Sequence, residues 1–170
     1  MINLERQHEG YNKSVKSLMQ HIDKDKIPNA KNKTYILGEV LKVDKSFEIA
    51  IEIALGGSIS NIITDNEIIA KELIKYLKQS NLGRATFLPL NIVKGKSINL
   101  SSKVEKIDGY IGIASKLIKC HIKYINAIEY VLGRTLIAKN MNSALNIAKE
   151  TNYGFKIVTL DGEVINQGEL

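Results

Sequence analysis

This chain contains an internal repeat, and the repeat limits the folds open to it. Residues 50–56 (AIEIALG) match residues 127–133 (AIEYVLG) at five of seven positions, at an offset of 77. In each copy an aromatic residue three positions upstream completes an i, i+3, i+4, i+7, i+8 apolar pattern, which predicts an amphipathic helix ended by glycine. A chain that carries this pattern twice is expected to fold as two similar halves.

The segments that follow the repeated helix also agree in order. Each copy continues with a short apolar strand, a second helix, and a glycine that leads into another strand. We therefore predict two αβαβ halves at 34–90 and 107–162, joined by a polar, basic linker at 91–106; chance similarity between helix–strand units is the alternative. The predicted elements are strands at 59–63 and 135–138, helices at 67–78 and 142–149, and strands after Gly83 and Gly154.

Two further local patterns lie at the ends of the chain. Asp161-Gly162, between the apolar runs 157–160 and 164–165, predicts a hairpin with a two-residue turn. Near the N-terminus, apolar and aromatic residues recur at the a and d spacing of a coiled coil, although an ordinary amphipathic helix would show a similar spacing. The residues at that spacing are Leu4, His8, Tyr11, Val15, Leu18 and Ile22.

Composition and charge restrict the class of protein. With 44% hydrophobic and 25% charged residues, the chain is expected to be globular, and it has neither a 20-residue apolar run nor a signal-peptide pattern, so we expect a cytoplasmic protein. Of the net charge of +6, most lies between Lys75 and Lys106, where seven cations face one anion. Such a stretch is typical of nonspecific nucleic-acid contact, for which Lys94, Lys96 and Lys103 are the candidates; a solvated lysine-rich surface is the alternative.

No residue pattern indicates catalysis or a metal site. Cys120 is the single cysteine, and three histidines cannot complete a cysteine-rich zinc site. Gly95-Lys96-Ser97 resembles the end of a phosphate-binding loop, but the glycine required five residues earlier is Leu90. Cys120 and His121 are adjacent, so their side chains diverge on a strand or a helix. We expect no enzyme activity, no metal and no cofactor in this chain.

Several longer runs resemble one protein family. They include GRATFLPL at 83–90, ALGG at 54–57, LGRTL at 132–136 and IVTLDGEVIN at 157–166, with EGY and VK at the N-terminal junction. On these runs the chain is similar, over nearly all of its length, to the hinge domain of structural maintenance of chromosomes (SMC) proteins, the bacterial homodimeric type.

The resemblance implies an α+β fold of two pseudo-symmetric αβ subdomains with small mixed sheets and a short coiled-coil stub at the N-terminus. Residues 1–22 would end a coiled-coil arm, and 23–170 would form the hinge, with subdomain one at 34–90, the linker at 91–106 and subdomain two at 107–170. The implied function is homodimerisation of an ATPase for chromosome condensation and segregation, with weak DNA contact. ATP and Mg would bind the parent protein's head domain, and kleisin-type subunits would bind elsewhere on a nucleoid-associated protein without membrane contact. A free-standing nucleic-acid-binding domain that uses residues 75–106 is the alternative.

The resemblance also implies a dimer interface in which strands pair between subunits. The family pattern continues after Asn166 with proline and two glycine pairs, whereas this chain reads Gln167, Gly168, Glu169, Leu170. An excised fragment or a divergent protein would each explain the departure, which leaves the dimer affinity open. The strand at 155–160 and its hairpin partner at 164–165 are predicted to lie at this interface. The predicted interface residues are Gly56, Gly57, Gly133, Phe155, Ile157, Val158, Leu160 and Gly168.

Overall fold

A computed structural model describes residues 2–3, 12–95 and 98–168 of the chain. No helix within these ranges is long and apolar enough to cross a membrane. The α-helices are α1 Lys13–Asp23, α2 Leu37–Val40, α3 Glu48–Leu55, α4 Glu67–Gln79, α5 Ser102–Glu105, α6 Ile125–Leu132 and α7 Met141–Glu150. The strands are β1 Ile2–Asn3, β2 Thr34–Ile36, β3 Leu41–Val43, β4 Ile62–Thr64, β5 Phe87–Pro89, β6 Tyr110–Ile113, β7 Ile118–Cys120, β8 Thr135–Ala138, β9 Lys156–Thr159 and β10 Val164–Ile165.

The two halves have the same sheet topology, as the repeat predicts. In the first half the strand order is β2-β4-β5, with an antiparallel pair followed by a parallel pair. In the second half β6-β8-β9 repeats this arrangement, and β10 adds an antiparallel edge strand. The second helix of each half begins at an asparagine, Asn66 or Asn140, whose side chain accepts a hydrogen bond from the backbone three residues on. The prediction of a mixed αβ fold with small sheets is confirmed.

A third sheet, ordered β1-β3-β7, joins the halves at a local two-fold axis. Strands β3 and β7 are equivalent in the repeat, since they are separated by the same 77 residues. They pair antiparallel, so Lys42 lies opposite its own equivalent, Lys119. On either side Leu41 pairs with Cys120 and Val43 with Ile118. The repeated helices α3 and α6 pack beside this sheet around a shared central core that includes Ile51 and Ile128. The duplication therefore also forms the contact between the subdomains.

Helix α1 packs against the first subdomain. Its Val15, Leu18 and Ile22 are buried in one hydrophobic cluster with Leu73 and Leu77 of α4. These are the last three residues of the proposed coiled-coil spacing, and their apolar face is used within the domain. The earlier members Leu4, His8 and Tyr11 lie outside the described residues. The division at residue 22 remains a prediction, but α1 contributes to the core of subdomain one.

Most local elements lie where the patterns placed them, with one shift. Strand 135–138 is found at Thr135–Ala138, and the second helices extend slightly beyond their predicted ends, as Glu67–Gln79 and Met141–Glu150. The first-half strand starts later than predicted, at Ile62, because Gly56–Ser60 form a 3-10 helix after α3. The predicted strand 59–63 is therefore corrected to Ile62–Thr64.

Lys123 forms a polar contact between the two halves of the chain. Its Nζ atom lies 2.6 Å from the Tyr35 hydroxyl and 3.0 Å from Asp65 Oδ1. The Tyr35 hydroxyl in turn lies 3.0 Å from the same carboxylate oxygen, and the Tyr35 ring packs edge-on against Tyr124. Hydrogen bonds to Tyr35 and then to Asp65 raise the pKa of Lys123. This cluster joins a first-half sheet to the segment before α6.

Replacing Lys123 with methionine should lower the free energy of unfolding by less than about 1 kcal/mol, because both charged partners remain partly exposed to solvent. Urea unfolding at low salt measures the loss, and the difference from the parent chain should shrink in 1 M NaCl as screening weakens the ion pair. The matched control is Lys71→Met on the exposed side of α4, for which we expect no salt-dependent loss. Equal salt dependence in both variants would contradict an ionic contribution from Lys123.

Candidate dimer interface

An exposed apolar patch lies where α3 meets the β9–β10 hairpin. Ile49 and Ile53 of α3 are 52% and 38% exposed, and Val164 of β10 is 37% exposed. Gly162 joins them: a Cβ atom there would lie 3.1 Å from Ile49 Cγ2 and 3.2 Å from Ile53 Cγ1, so the turn lies directly on both side chains. Apolar side chains exposed together in this way are typical of a protein interaction site. We call Ile49, Ile53, Gly162 and Val164 the apolar patch.

The hairpin turn has three residues instead of the predicted two. Val164 pairs with Val158, so Leu160, Asp161 and Gly162 form the loop. The Gly162 amide donates to the Thr159 carbonyl at 2.9 Å, and Gly162 has a φ of +91°, the geometry of a type I turn followed by a left-handed residue. A side chain at this φ would be strained, and its Cβ would crowd the Ile49 and Ile53 side chains, which would have to move by a few tenths of an ångström. The positive φ of the turn therefore favours glycine here, and the close approach of α3 adds to that preference.

Strand β10 is an open edge of its sheet. It pairs with β9 on one side, and the strand order places no described strand on the other. The Thr159 amide donates to the Glu163 carbonyl, so Thr159 and Glu163 form a hydrogen-bonded pair. Hydrogen-bonded and non-hydrogen-bonded pairs alternate along an antiparallel ladder, so the next pair, Val158 and Val164, is non-hydrogen-bonded. The backbone N–H and C=O of Val164 therefore point away from β9 and are directed at a strand that would add to the sheet.

Gly56 and Gly57 lie at the end of α3 and are exposed. A Cβ atom at either position would meet no atom within 4 Å, so nothing in the described part of the chain requires a glycine there for space. Both follow directly from the helix that carries Ile49 and Ile53. Their position is consistent with the predicted contact to a second subunit, which remains a prediction.

The predicted interface residues of β9 lie inside the protein and not at a free edge. Strand β9 lies between β8 and β10, so both of its edges are already paired within the chain. Ile157 and Val158 are completely buried, in the second-subdomain core and the central core respectively. The expectation that they pair with a partner is therefore corrected: they are core residues, and the free edge belongs to β10.

The other predicted interface residues are dispersed. Gly133 is buried at the end of α6, and Leu160 packs against the central core. Phe155 is half-buried beneath Arg134, whose guanidinium carbon lies 4.8 Å from the ring centre. Gly168 is exposed, and its amide donates to the Tyr153 carbonyl at 2.8 Å. The structure does not bring these four residues together into one surface.

Among the patch residues, Val164 belongs to the hairpin partner that was predicted at the interface, whereas Ile49 and Ile53 were not among the sequence-derived candidates. The helical pattern assigns α3 an apolar face, and Ile49, Ile51 and Ile53 are all apolar, although Ile51 alone among them is fully buried. An isoleucine at each of three alternate positions cannot face one side of a helix. This excess of apolar residues was the available signal that part of α3 remains exposed.

The candidate DNA-binding lysines do not share one element. Lys94 is exposed in the linker and Lys103 is exposed on α5, while Lys96 lies outside the described residues. Lys75 and Lys78 of the same basic stretch lie on α4, which packs into a different hydrophobic cluster from α5. A stretch that is continuous in sequence is thus spread over both subdomains.

Comparisons of this chain with protein-family models and with known sequences identify the same family. The model "SMC proteins Flexible Hinge Domain" matches residues 31–148. The chain is 47% identical over 168 residues to the chromosome partition protein Smc of Clostridium kluyveri, covering 99% of this chain and 14% of that protein. It is 44% identical over 165 residues to the protein of the same name from Halothermothrix orenii, covering 94% of this chain and 13% of that protein.

Solved structures agree with this assignment. The Geobacillus stearothermophilus SMC hinge domain, crystallised as an asymmetric dimer, is similar with a TM-score of 0.84 and 34% identity, covering 98% of this chain and 68% of that chain. The Pyrococcus furiosus SMC hinge domain gives a TM-score of 0.68 and 29% identity, covering 96% of this chain and 89% of that chain. Family model, sequence identity and fold all agree, and this chain belongs to the SMC hinge domain family.

Proposed function

We propose that this chain homodimerises as the hinge of a chromosome partition protein. The observation that carries the proposal is the apolar patch beside the open β10 edge, in a chain similar to a hinge domain that was crystallised as a dimer. Strand addition at β10 would use the outward amide and carbonyl of Val164, while Ile49 and Ile53 would bury apolar surface. Gly56 and Gly57 would permit close approach of a second subunit at the end of α3.

The proposal places the hinge within a longer protein, since the chain spans only 14% of its Clostridium kluyveri relative. In that protein, two coiled-coil arms would connect the hinge to an ATPase head that binds ATP and Mg, with kleisin-type subunits bound away from the hinge. Joining two such molecules would serve chromosome condensation and segregation at the nucleoid, in the cytoplasm. The hinge itself would be non-catalytic and would carry no cofactor.

Light scattering and sedimentation equilibrium over a concentration series test the proposal directly. We expect a transition from 18.9 kDa to twice that mass as the concentration of the chain rises. The same series on the full-length gene product controls for contributions from residues outside this chain. A monomer at every accessible concentration in both samples would overturn the proposal.

A second activity, weak and nonspecific DNA contact, is favoured by the basic stretch 75–106. Arginine is scarce relative to lysine in this chain, which fits phosphate contact better than base recognition. Lys94 and Lys103 are exposed and available for such contact. Lys96 belongs to the same proposal on charge alone.

Replacing Lys94 and Lys103 with glutamate should weaken binding to single-stranded DNA and reduce the salt dependence of the binding constant. Each phosphate contact contributes about 0.7 to the slope of log K against log salt, so loss of two contacts should flatten it by about 1.4. The charge-matched control is Lys139→Glu with Lys149→Glu, two exposed lysines outside the basic stretch. An unchanged slope would reject these lysines as phosphate contacts. Full DNA affinity in a strictly monomeric protein would favour a free-standing nucleic-acid-binding domain.

A further inference from the structure

Strand β7 has an edge that the described part of the chain leaves open. It is the end strand of the sheet β1-β3-β7 and pairs with β3 alone. The local two-fold axis relates β7 to β3, and the outer edge of β3 is covered by β1, which pairs antiparallel with Lys42 and Val43. Two equivalent edges are thus present, and one of them already accepts an added strand. The other presents unpaired backbone groups to whatever lies beside it.

A groove of about 460 Å³ runs beside this open edge. One wall is β7 itself, through Ile118 and Cys120, and the other is α6, through Ile125 and Ile128. Ile125 is 37% exposed, so the groove presents apolar surface to solvent. None of these residues belongs to the apolar patch at β10, and the groove is a separate surface.

The alternation of β7 determines which side chains an added strand should carry. Ile118 and Cys120 pack toward the central core, whereas Lys119 between them is exposed on the opposite face. In a strand paired with β7, residues opposite Ile118 and Cys120 would enter the groove, and the residue opposite Lys119 would face solvent beside its ammonium group. Opposite charges at directly facing positions favour pairing, and like charges oppose it.

The charged residues beside β7 indicate which kind of strand can pair with its open edge. The groove and the strand edge beside it carry two lysines, Lys116 and Lys119, and one carboxylate, Glu129. Lys119 also already faces Lys42 across the β3–β7 pair, so two like charges meet on this face. A second copy that paired through its own β7, centred on Lys119, would place a third and a fourth lysine there. An acidic residue on the added strand would instead face Lys119 as an opposite charge.

We propose that the β7 edge binds an extended segment of a partner protein as an antiparallel added strand, with an acidic residue opposite Lys119 between two apolar residues that enter the groove. Recognition combines backbone hydrogen bonds from the strand edge with side-chain selection at alternate positions. The antiparallel direction follows the precedent of β1 on the equivalent edge.

Fluorescence anisotropy with the complete chain tests this pattern. The probe is a fluorescein-labelled peptide Ser-Thr-Val-Asp-Ile-Thr-Ser, and its twin carries lysine in place of aspartate. We expect saturable binding of the aspartate peptide, weakened about fivefold by Lys119→Glu, and the reverse preference for the lysine peptide, as facing charge pairs predict. The matched control is Lys71→Glu, the same charge reversal on the exposed side of α4, which packs in the first-subdomain cluster and not beside β7; it should change either affinity by less than about twofold.

A second measurement reports from the groove itself. Cys120 is the single cysteine of the chain and lines the groove, so a bound peptide should slow its alkylation by iodoacetamide. Burial, and then the Glu129 carboxylate, raise the pKa of the Cys120 thiol, so the reaction is followed above pH 8. If the aspartate peptide slows alkylation of Cys120 in the parent chain and does not slow it in Lys119→Glu, the proposal is supported.

Three outcomes would overturn it. Absence of saturable binding, or binding that Lys119→Glu leaves unchanged, would show that β7 does not select a strand by charge. Protection of Cys120 that grows with protein concentration in the absence of peptide, together with a doubled mass, would show that a second copy occupies the edge. Circular dichroism of Lys119→Glu, a change at an exposed position, confirms that the fold is retained in either case.

Discussion

Replacing Val164 with lysine should raise the dissociation constant of the dimer by at least about tenfold. Val164 lies on the open edge of β10 with its backbone groups pointing outward, and its partly exposed side chain lies two residues after Gly162, which contacts Ile49 and Ile53. A lysine there would have to leave water as a second subunit approached, and charged residues on edge strands oppose strand addition. Sedimentation equilibrium measures the shift in dissociation constant.

The matched control is Val164→Thr, which keeps the branched shape and the strand preference without a charge. It should weaken the dimer less than lysine does. Both variants should unfold in urea within about 1 kcal/mol of the parent chain, because the side chain is partly exposed in the monomer. If Val164→Lys dimerised as tightly as the parent chain, β10 would not be at the interface.

Replacing Gly109 with alanine should lower the free energy of unfolding by about 2–4 kcal/mol, the combined cost of positive φ and overpacking. Gly109 has a φ of +87°, and an added Cβ would lie 2.6 Å from Ser143 Cβ. Ser143 cannot retreat easily, because it is buried in the first turn of α7 and its amide is bonded to the Asn140 side chain at 2.9 Å. Urea unfolding followed by circular dichroism measures the loss.

Gly57→Ala is the control, since a Cβ there meets no atom within 4 Å and its φ is not positive. At a concentration at which the chain is monomeric, it should change the free energy of unfolding by less than about 0.5 kcal/mol. Adding Ser143→Gly to Gly109→Ala removes the colliding Cβ, so it should restore the part of the loss that comes from overlap. Equal unfolding midpoints for Gly109→Ala and Gly57→Ala would contradict the packing described for Gly109.

Local elements could be predicted because their signals lie within a few residues. The apolar pattern of α6 and its closing Gly133 are readable from one short segment, and so is the strand Thr135–Ala138 that follows. The caps of α4 and α7 are likewise local, since each asparagine bonds to a backbone group three residues away. These interactions form between residues that are close in sequence, so they can be predicted from the order of residues alone.

The candidate interface was less predictable because edges and exposure depend on distant partners. Ile157 and Val158 have the sequence of a strong strand, and that sequence is the same whether the strand is central or at an edge. Pairing with β8 and β10 decides that they are buried. Val164, two residues beyond the turn, becomes the edge residue for the same reason.

The amino-acid sequence by itself determined the duplication, the order of helices and strands in each half, and the family resemblance, because repeated periodicity and short motifs are properties of neighbouring residues. Only the tertiary structure decided that β3 meets β7 at a local two-fold axis, that β10 and β7 keep open edges, and that Ile49 and Ile53 lie beside Gly162. Strand partners and exposed surface are set by contacts between residues far apart in the chain, so no local pattern specifies them.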